Sequence, residues 1–569
     1  MANSLPYDRR AFMSYFATMG LGSTLLPEIL WRRVSAGEDI TAQSVSCAAE
    51  MADLVFDDAE AQMMVDGLKD QEKQLEALHK VELANAVPPA LLFDPVLPEM
   101  NLPLAVSATG RQPPMIRTTV AARKVPANLD ELAFLPVTEL SELVRTRKVT
   151  SVALTEMYLA RLKRNGPSLL CVVTLTEERA LRQARAADAE IARGKYRGPL
   201  HGIPWGAKDL LAVKGYPTSW GTAPFRTQTF EEDATVVRRL DDAGAVLVAK
   251  LTLGELAQGD VWFGGRTRNP WKLDQGSSGS SAGPGSATAA GLVGFSIGSE
   301  TLGSISSPAT RTGVTGLRPT FGRVPRTGAM ALSWSMDKLG PMCRSVEDCA
   351  LVLNAIHGSD GQDLTVRNAT FRWDATVKPA SLRIGYLKSA FERDRPTKAF
   401  DDASLGVMRS LGAKLIPVEI PDMPYQAMRI ILTAEAAAAF DELTRSGRDA
   451  ELAQQEKTAW PNTFRIARFI PAVDYVNANR VRTLAMRKMA ELMSTVDVIV
   501  APTGGSSQLL ATNLTGHPAV ILPNGFREDG TPVSLTFIAG LYEEAKLLAV
   551  AHAYQQATDF HLKHPQLAA

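Results

Sequence analysis

The sequence predicts an α/β fold in which helices cover a sheet. Short apolar runs at residues 169–175, 246–249, 382–386 and 496–500 have the length of buried strands. Helical patterns, such as those over 177–193 and 346–356, separate them. The composition agrees: 45% of the 569 residues are apolar and 21% are charged, so the chain can bury a large core.

Charge and cysteine usage exclude several functions. Sixty-one Lys and Arg balance 61 Asp and Glu, so no net field draws the chain towards nucleic acid or an anionic membrane. Cys47, Cys171, Cys343 and Cys349 form no Cys-x-x-Cys pair, and none of the seven histidines stands at metal-ligand spacing. Disulfide scaffolds and zinc modules are therefore not expected.

In chain order, Asp8, Arg9, Arg10, Ala11, Phe12 and Met13 precede a stretch to Trp31 in which Glu28 is the only charge. That order resembles a bacterial twin-arginine export signal; the alternative is an amphipathic first helix that carries two arginines. Gly20, Gly22 and Pro27 break the apolar segment, leaving it too short for a stable membrane span. Residues 1–35 are set apart as this possible signal, and the location is periplasmic or cytoplasmic according to which alternative holds.

Residues 36–127 read as a helical and proline-rich extension. A helix over 57–79 places Met64, Leu68, Leu75 and Leu78 near one face. Pro88, Pro89, Pro95, Pro98 and Pro103 stop it and lead into an extended connector reaching about Pro126. Beyond it, Thr138 can cap a helix through Val144, and Thr150 can cap another bearing Leu154, Tyr158 and Leu162. Asn165, Gly166 and Pro167 are expected to end that helix.

Residues 276–316 hold ten glycines in 41 positions, against 42 in the whole chain. Composition alone would suggest a flexible linker. The order suggests otherwise: 287–292 is helix-compatible, 293–297 is strand-compatible, and the glycines surround these pieces. Main chain this bare suits a site where N–H groups approach a ligand. Neither a Walker lysine pattern nor Gly-x-Gly-x-x-Gly is present. Gly279-Ser280-Ser281-Ala282-Gly283 matches Gly-x-Ser-x-Gly, which would make Ser281 an elbow nucleophile. Residues 269–275 read as turn or loop, where that elbow needs a strand, and His517 or His552 as its base adds little.

These residues resemble the amidase signature family. Gly279 to Pro284 look like its first serine motif, Gly298 to Ile305 like its second, and Gly202 to Asp209 like its lysine motif. The resemblance extends through 313–320, 322–328, 337–348, 501–503 and 513–526, covering roughly residues 130–569. It implies the family's fold, a large central mixed and twisted sheet covered by helices, over an amidase domain at 128–569. It also implies a cis peptide bond before Ser280. Leu302 stands where the family often has glycine, Glu300 where it often has aspartate, and Ser306 where it often has arginine.

Amide hydrolysis needs a nucleophile, a base, an acid for the leaving nitrogen and donors for the oxyanion. By the resemblance, Ser304 attacks, Ser280 relays its proton, and Lys208 is the base. The backbone N–H groups of Thr301, Leu302 and Gly303, with that of Ser304, form the oxyanion hole. Taken singly, Lys208 reads as a solvated lysine, Ser280 as a helix cap and Ser304 as a turn residue. Their order and their separations of 72 and 24 residues point to catalysis. Lys208 must then be neutral, which for a group titrating near 10.4 requires burial or a neighbouring cation. His201, beside the lysine motif, reads as structural.

The expected activity is an amidase that turns a carboxamide into an acid plus ammonia or an amine, with no cofactor and no metal. A small-molecule amide is the expected partner, without nucleic acid. The alternatives are the amidase component of a tRNA-dependent amidotransferase and a non-catalytic binding protein on the same scaffold.

Overall fold

The computed structural model describes residues 39–51, 54–81, 115–121 and 123–567. The twin-arginine segment and most of the proline-rich connector lie outside the described residues. The chain divides into two compact units: one takes Met1–Leu91 with Met423–Ala485, the other Leu92–Asp422 with Met486–Ala569.

Among the described residues, the larger unit carries one eleven-stranded sheet. Its strands are β1 (Val172–Leu175), β2 (Pro204–Lys208), β3 (Val246–Leu251), β4 (Phe295–Glu300), β5 (Thr315–Arg318), β6 (Lys338–Cys343), β7 (Ile384–Leu387), β8 (Leu415–Val418), β9 (Val498–Pro502), β10 (Ala519–Phe526) and β11 (Pro532–Ala539). They lie in the order β1-β3-β2-β4-β6-β5-β10-β11-β9-β7-β8. β2 runs parallel to β3 and β4, and β7 parallel to β8 and β9; the other neighbours are antiparallel. The sheet is therefore mixed, as the resemblance implies.

β2, β3, β4 and β6 are buried at every position, which is why β3, read as an apolar run over 246–249, shows no polar alternation. Helices Ser151–Leu169, Glu177–Ala192 and Ala282–Ala289 cover one stretch, packing Leu159, Leu162, Ala184 and Ala287 against Val246, Val248 and Leu251. Burying each large aliphatic side chain contributes about 1.5–3 kcal/mol. A second cluster joins Ile305 and Ala309 to Met342, Ile499, Ile521 and Ile538.

Several expected boundaries move. The helix capped by Thr150 runs past Pro167 to Leu169, since Leu169 is fully buried and Ser168 Oγ donates to the Asn165 carbonyl at 2.9 Å. Residues 269–275, expected as turn or loop, overlap the strand Lys272–Gly276, which pairs antiparallel with Arg268–Asn269 around Pro270 and Trp271. Its mostly polar residues, none of them buried, gave no strand pattern.

The smaller unit is helical. Asp57 caps Asp58–His79 with a complete capping box to Glu60. Met64, Leu68, Leu75 and Leu78 are all buried, and Met64 and Leu68 join Ile40, Val45, Ala61 and Phe469 in one core. Arg465, itself buried, bridges Glu60 at 2.6 Å and Asp449 at 2.8 Å. No helix of the described residues is long and apolar enough to cross a membrane.

Candidate active site

Two parallel neighbours deliver the site at their carboxyl ends, where ligands of α/β sheets bind. β2 ends at Lys208, and β4 ends at Ser299 and Glu300. Their register, Trp205 opposite Phe295 and Ala207 opposite Ile297, brings those ends side by side. The loop before helix Ala282–Ala289 supplies Ser280 and Ser281, and the peptide bond Gly279–Ser280 is cis. A Cβ at Gly279 would lie 1.7 Å from the Gly259 carbonyl oxygen, so only glycine fits there.

Lys208 is completely buried, and its Nζ donates to three hydroxyls: Ser280 at 2.8 Å, Ser299 at 2.8 Å and Ser281 at 3.0 Å. Burial pushes its pKa well below the ordinary lysine value, opposed by the carboxylates of Asp337 and Glu300. Neutralising the amine leaves two N–H donors and one lone pair, so one of the three hydroxyls must turn and donate to it. Ser281 is committed elsewhere: its Oγ donates to the Ser299 carbonyl and accepts from the Ser299 N–H, both at 3.1 Å. Fully buried and engaged in this way, Ser281 serves as an anchor for the amine.

Ser304 is 8% exposed and lies in the turn between β4 and helix Ser306–Thr312. Gly303, just before it, has φ +85°, a conformation that favours glycine. The Ser304 carbonyl accepts from the Ser281 N–H at 3.0 Å, which ties the two serine loops together. Lys208 and Ser280 are thus in direct contact, whereas among the described residues no hydrogen bond joins the Ser280 and Ser304 hydroxyls. Catalytic hydrogen bonds often close only around substrate.

Both ends of this turn are pinned. Glu300 Oε2 accepts from the N–H groups of Ile305 (2.9 Å) and Ser306 (2.8 Å) and from Ser306 Oγ (2.8 Å). Its Oε1 meets Arg318 at 2.9 Å and Asn513 Nδ2 at 2.8 Å, all fully buried. Burial alone would raise this carboxyl's pKa, but Arg318 and the surrounding donors pull it down to about 2. Glutamate at 300 and serine at 306 therefore form one arrangement, with the cation supplied from β5. At the turn's start, Thr301 Oγ donates to Asp337 Oδ1 at 2.5 Å.

Behind the lysine lies a second buried pair. Lys250 on β3 meets Asp209 at 2.7 Å, and neither side chain is exposed. Asp209 also accepts from the N–H (2.9 Å) and hydroxyl of Ser219. Of the histidines, His201 is buried against Glu190 at 3.3 Å, and His517 is held at about 4 by burial and Arg318. Neither touches the serines. Among the described residues no group of three His, Cys, Asp or Glu could hold a metal.

The sequence reading missed Ser299, Arg318 and Lys250, and gave no role to Asp337. One signal was available for Lys250: like Lys208, it interrupts an apolar strand run, where a lysine is costly unless something answers its charge.

A family model described as Amidase matches residues 153–510. A glutamyl-tRNA(Gln) amidotransferase subunit from Acinetobacter baumannii is 34% identical over 77% of this chain and 99% of its own length. The protein of that name from an Azoarcus species is 35% identical over 76% and 99%. Among solved structures, the peptide amidase of Stenotrophomonas maltophilia is 31% identical, with a TM-score of 0.67 over 75% of this chain and 97% of that one. The amidotransferase relatives correct one expectation. Proteins this similar are named as one subunit of an amidotransferase, which implies partner chains, so the expectation of a small-molecule amide as the sole partner does not stand. Net charge could not show this, because it reports a whole-chain average and a protein partner is met through a local surface.

Proposed function

We propose that this chain, which belongs to the amidase signature family of amide-cleaving enzymes, attacks a carboxamide carbon with Ser304 Oγ. The observation that carries the reading is the fully buried Lys208 amine, which among the described residues contacts serine hydroxyls and no carboxylate. Neutral Lys208 takes the Ser280 proton as Ser280 takes that of Ser304, and the new C–O bond leaves negative charge on the carbonyl oxygen. The N–H groups of Thr301, Leu302, Gly303 and Ser304 receive that oxyanion; losing one such donor typically costs about 3 kcal/mol. Ser280 then protonates the departing nitrogen with the proton stored on Lys208, the C–N bond breaks, and an acyl-Ser304 ester remains. Water, deprotonated by the same pair, releases the acid.

The test is ammonia or amine release from purified protein offered aliphatic, aryl and peptide amides, together with fluorophosphonate labelling. Wild type is expected to label, and Ser304→Ala to lose both label and turnover. Labelling that depends on Ser281 instead would reject Ser304. The relatives' names favour a second reading, in which the ammonia is handed on within an amidotransferase. Co-purified partner chains and amide cleavage that requires them would support it; full turnover by the isolated chain would not.

A further inference from the structure

Asp337 belongs neither to the predicted relay nor to the cage around Lys208, yet its carboxylate joins two segments of the site. Oδ1 accepts from Thr301 Oγ at 2.5 Å, and Oδ2 accepts from the N–H groups of Leu332 and Ser333 at 2.8 and 3.0 Å. It is 9% exposed and immediately precedes β6, whose first residue, Lys338, pairs with Glu300. The carboxylate therefore projects from the end of a paired strand.

The segments it joins differ in kind. Thr301 opens the turn assigned to the oxyanion. Leu332 lines a cavity of about 260 Å³, together with Leu210, Met330, Trp334 and Leu339, and Ser299 and Thr301 line it too. The guanidinium at the cavity, Arg326, is engaged by Asp363 at 3.1 Å and by the Trp334 carbonyl at 2.8 Å. Asp337 and Asp363 also line the cavity beside the engaged Arg326, and between these polar groups Leu210, Met330, Leu332 and Leu339 form an apolar wall that suits an uncharged, apolar substituent.

We propose that Asp337 is a positioning residue that couples this cavity to the oxyanion turn, so that an amide with an uncharged apolar substituent in the cavity meets aligned donors. This rests on the reading of the turn given above. Three donors hold the carboxylate, and it in turn fixes the Thr301 side chain. Without that hold the Thr301 backbone N–H loses its aim, and a misplacement of about 1 Å at such a site can cost on the order of 100-fold in rate.

The experiment measures fluorophosphonate-rhodamine labelling of the full chain, separating the maximal labelling rate from probe affinity, because the phosphoryl oxygen occupies the oxyanion position. Asp337→Asn keeps the shape but replaces one charged acceptor oxygen by an NH2 group, which can hold Thr301 only by a reversed and weaker bond to its Oγ, and Thr301→Val removes the shared bond from the other side. Each is expected to lower the maximal rate about 10- to 100-fold with probe affinity retained. The double variant should be no slower than either single one, and Thr301→Ser should recover most of the rate lost in Thr301→Val. Benzamide should protect wild type from labelling at lower concentration than acetamide, and this preference should vanish in Asp337→Asn. Unchanged rates in folded variants, additive losses, or equal protection by the two amides would overturn the coupling while leaving Ser304 as nucleophile. Failure of wild type to label, or labelling of Ser304→Ala, would overturn this inference together with the reading beneath it. Should Asp337→Asn not fold, the Val and Ser variants at Thr301 decide the question alone.

Discussion

Lys208 and Lys250 make a controlled comparison. Both are completely buried, and they lie on adjacent parallel strands, β2 and β3. Burial pushes both below the ordinary lysine value. They differ in what they face. Lys250 has the Asp209 carboxylate at 2.7 Å, which favours the ammonium, whereas Lys208 has three neutral hydroxyls and only more distant acids. Burial alone does not make a base: an ion-paired lysine is a strut, and one surrounded by hydroxyls can exchange protons with them.

The largest expected effect breaks the comparison at its catalytic end. Lys208→Met should lower amide turnover by about 10²–10⁴-fold, the usual contribution of a positioned base. Its denaturant midpoint should stay close to that of wild type, because the substitution strands no charge. Turnover within tenfold of wild type would remove Lys208 from the base role.

At the other lysine the same substitution should act on stability. Lys250→Met leaves the Asp209 carboxylate buried without its counter-ion, a loss of about 3–5 kcal/mol by analogy with other broken buried pairs. Guanidinium unfolding of the two methionine variants side by side checks this. Equal midpoints would mean that the two lysines are not distinguished by charge. Asp209→Asn should destabilise less than Lys250→Met, because Lys250 can give up its proton more readily than Asp209 can be resolvated.

Much of this contrast was hidden in the sequence, for physical reasons. The serine and lysine motifs could be placed because glycine-rich turns and fixed spacings leave a local trace, and the strands could be placed because buried parallel strands read as apolar runs. Partners across the sheet leave no such trace. Arg318 reaches Glu300 from 18 positions away, Asn513 from 213 and Asp337 reaches Thr301 from 36. Which of the buried polar residues answer one another is fixed by strand register. The pairing of Lys272–Gly276 was equally silent, since its mostly polar residues, none of them buried, carry no alternation.

The smallest expected effect sharpens the comparison through pH. On the proposed relay turnover needs neutral Lys208, so kcat/KM is expected to fall on the acid side as pH drops through the lysine's folded-state pKa and the amine takes up a proton. Glu300, with a pKa of about 2, stays ionised throughout that range, and its charge favours the ammonium. Removing the charge in Glu300→Gln should therefore lower the lysine's pKa and move the acid limb to lower pH, even though weaker pinning of Ile305 and Ser306 reduces the plateau. The two consequences separate in a full kcat/KM profile, where pinning sets the height and charge sets the position. A limb that stays in place would assign it to a group other than Lys208, and a limb that moves to higher pH would contradict the sign of the Glu300 contribution.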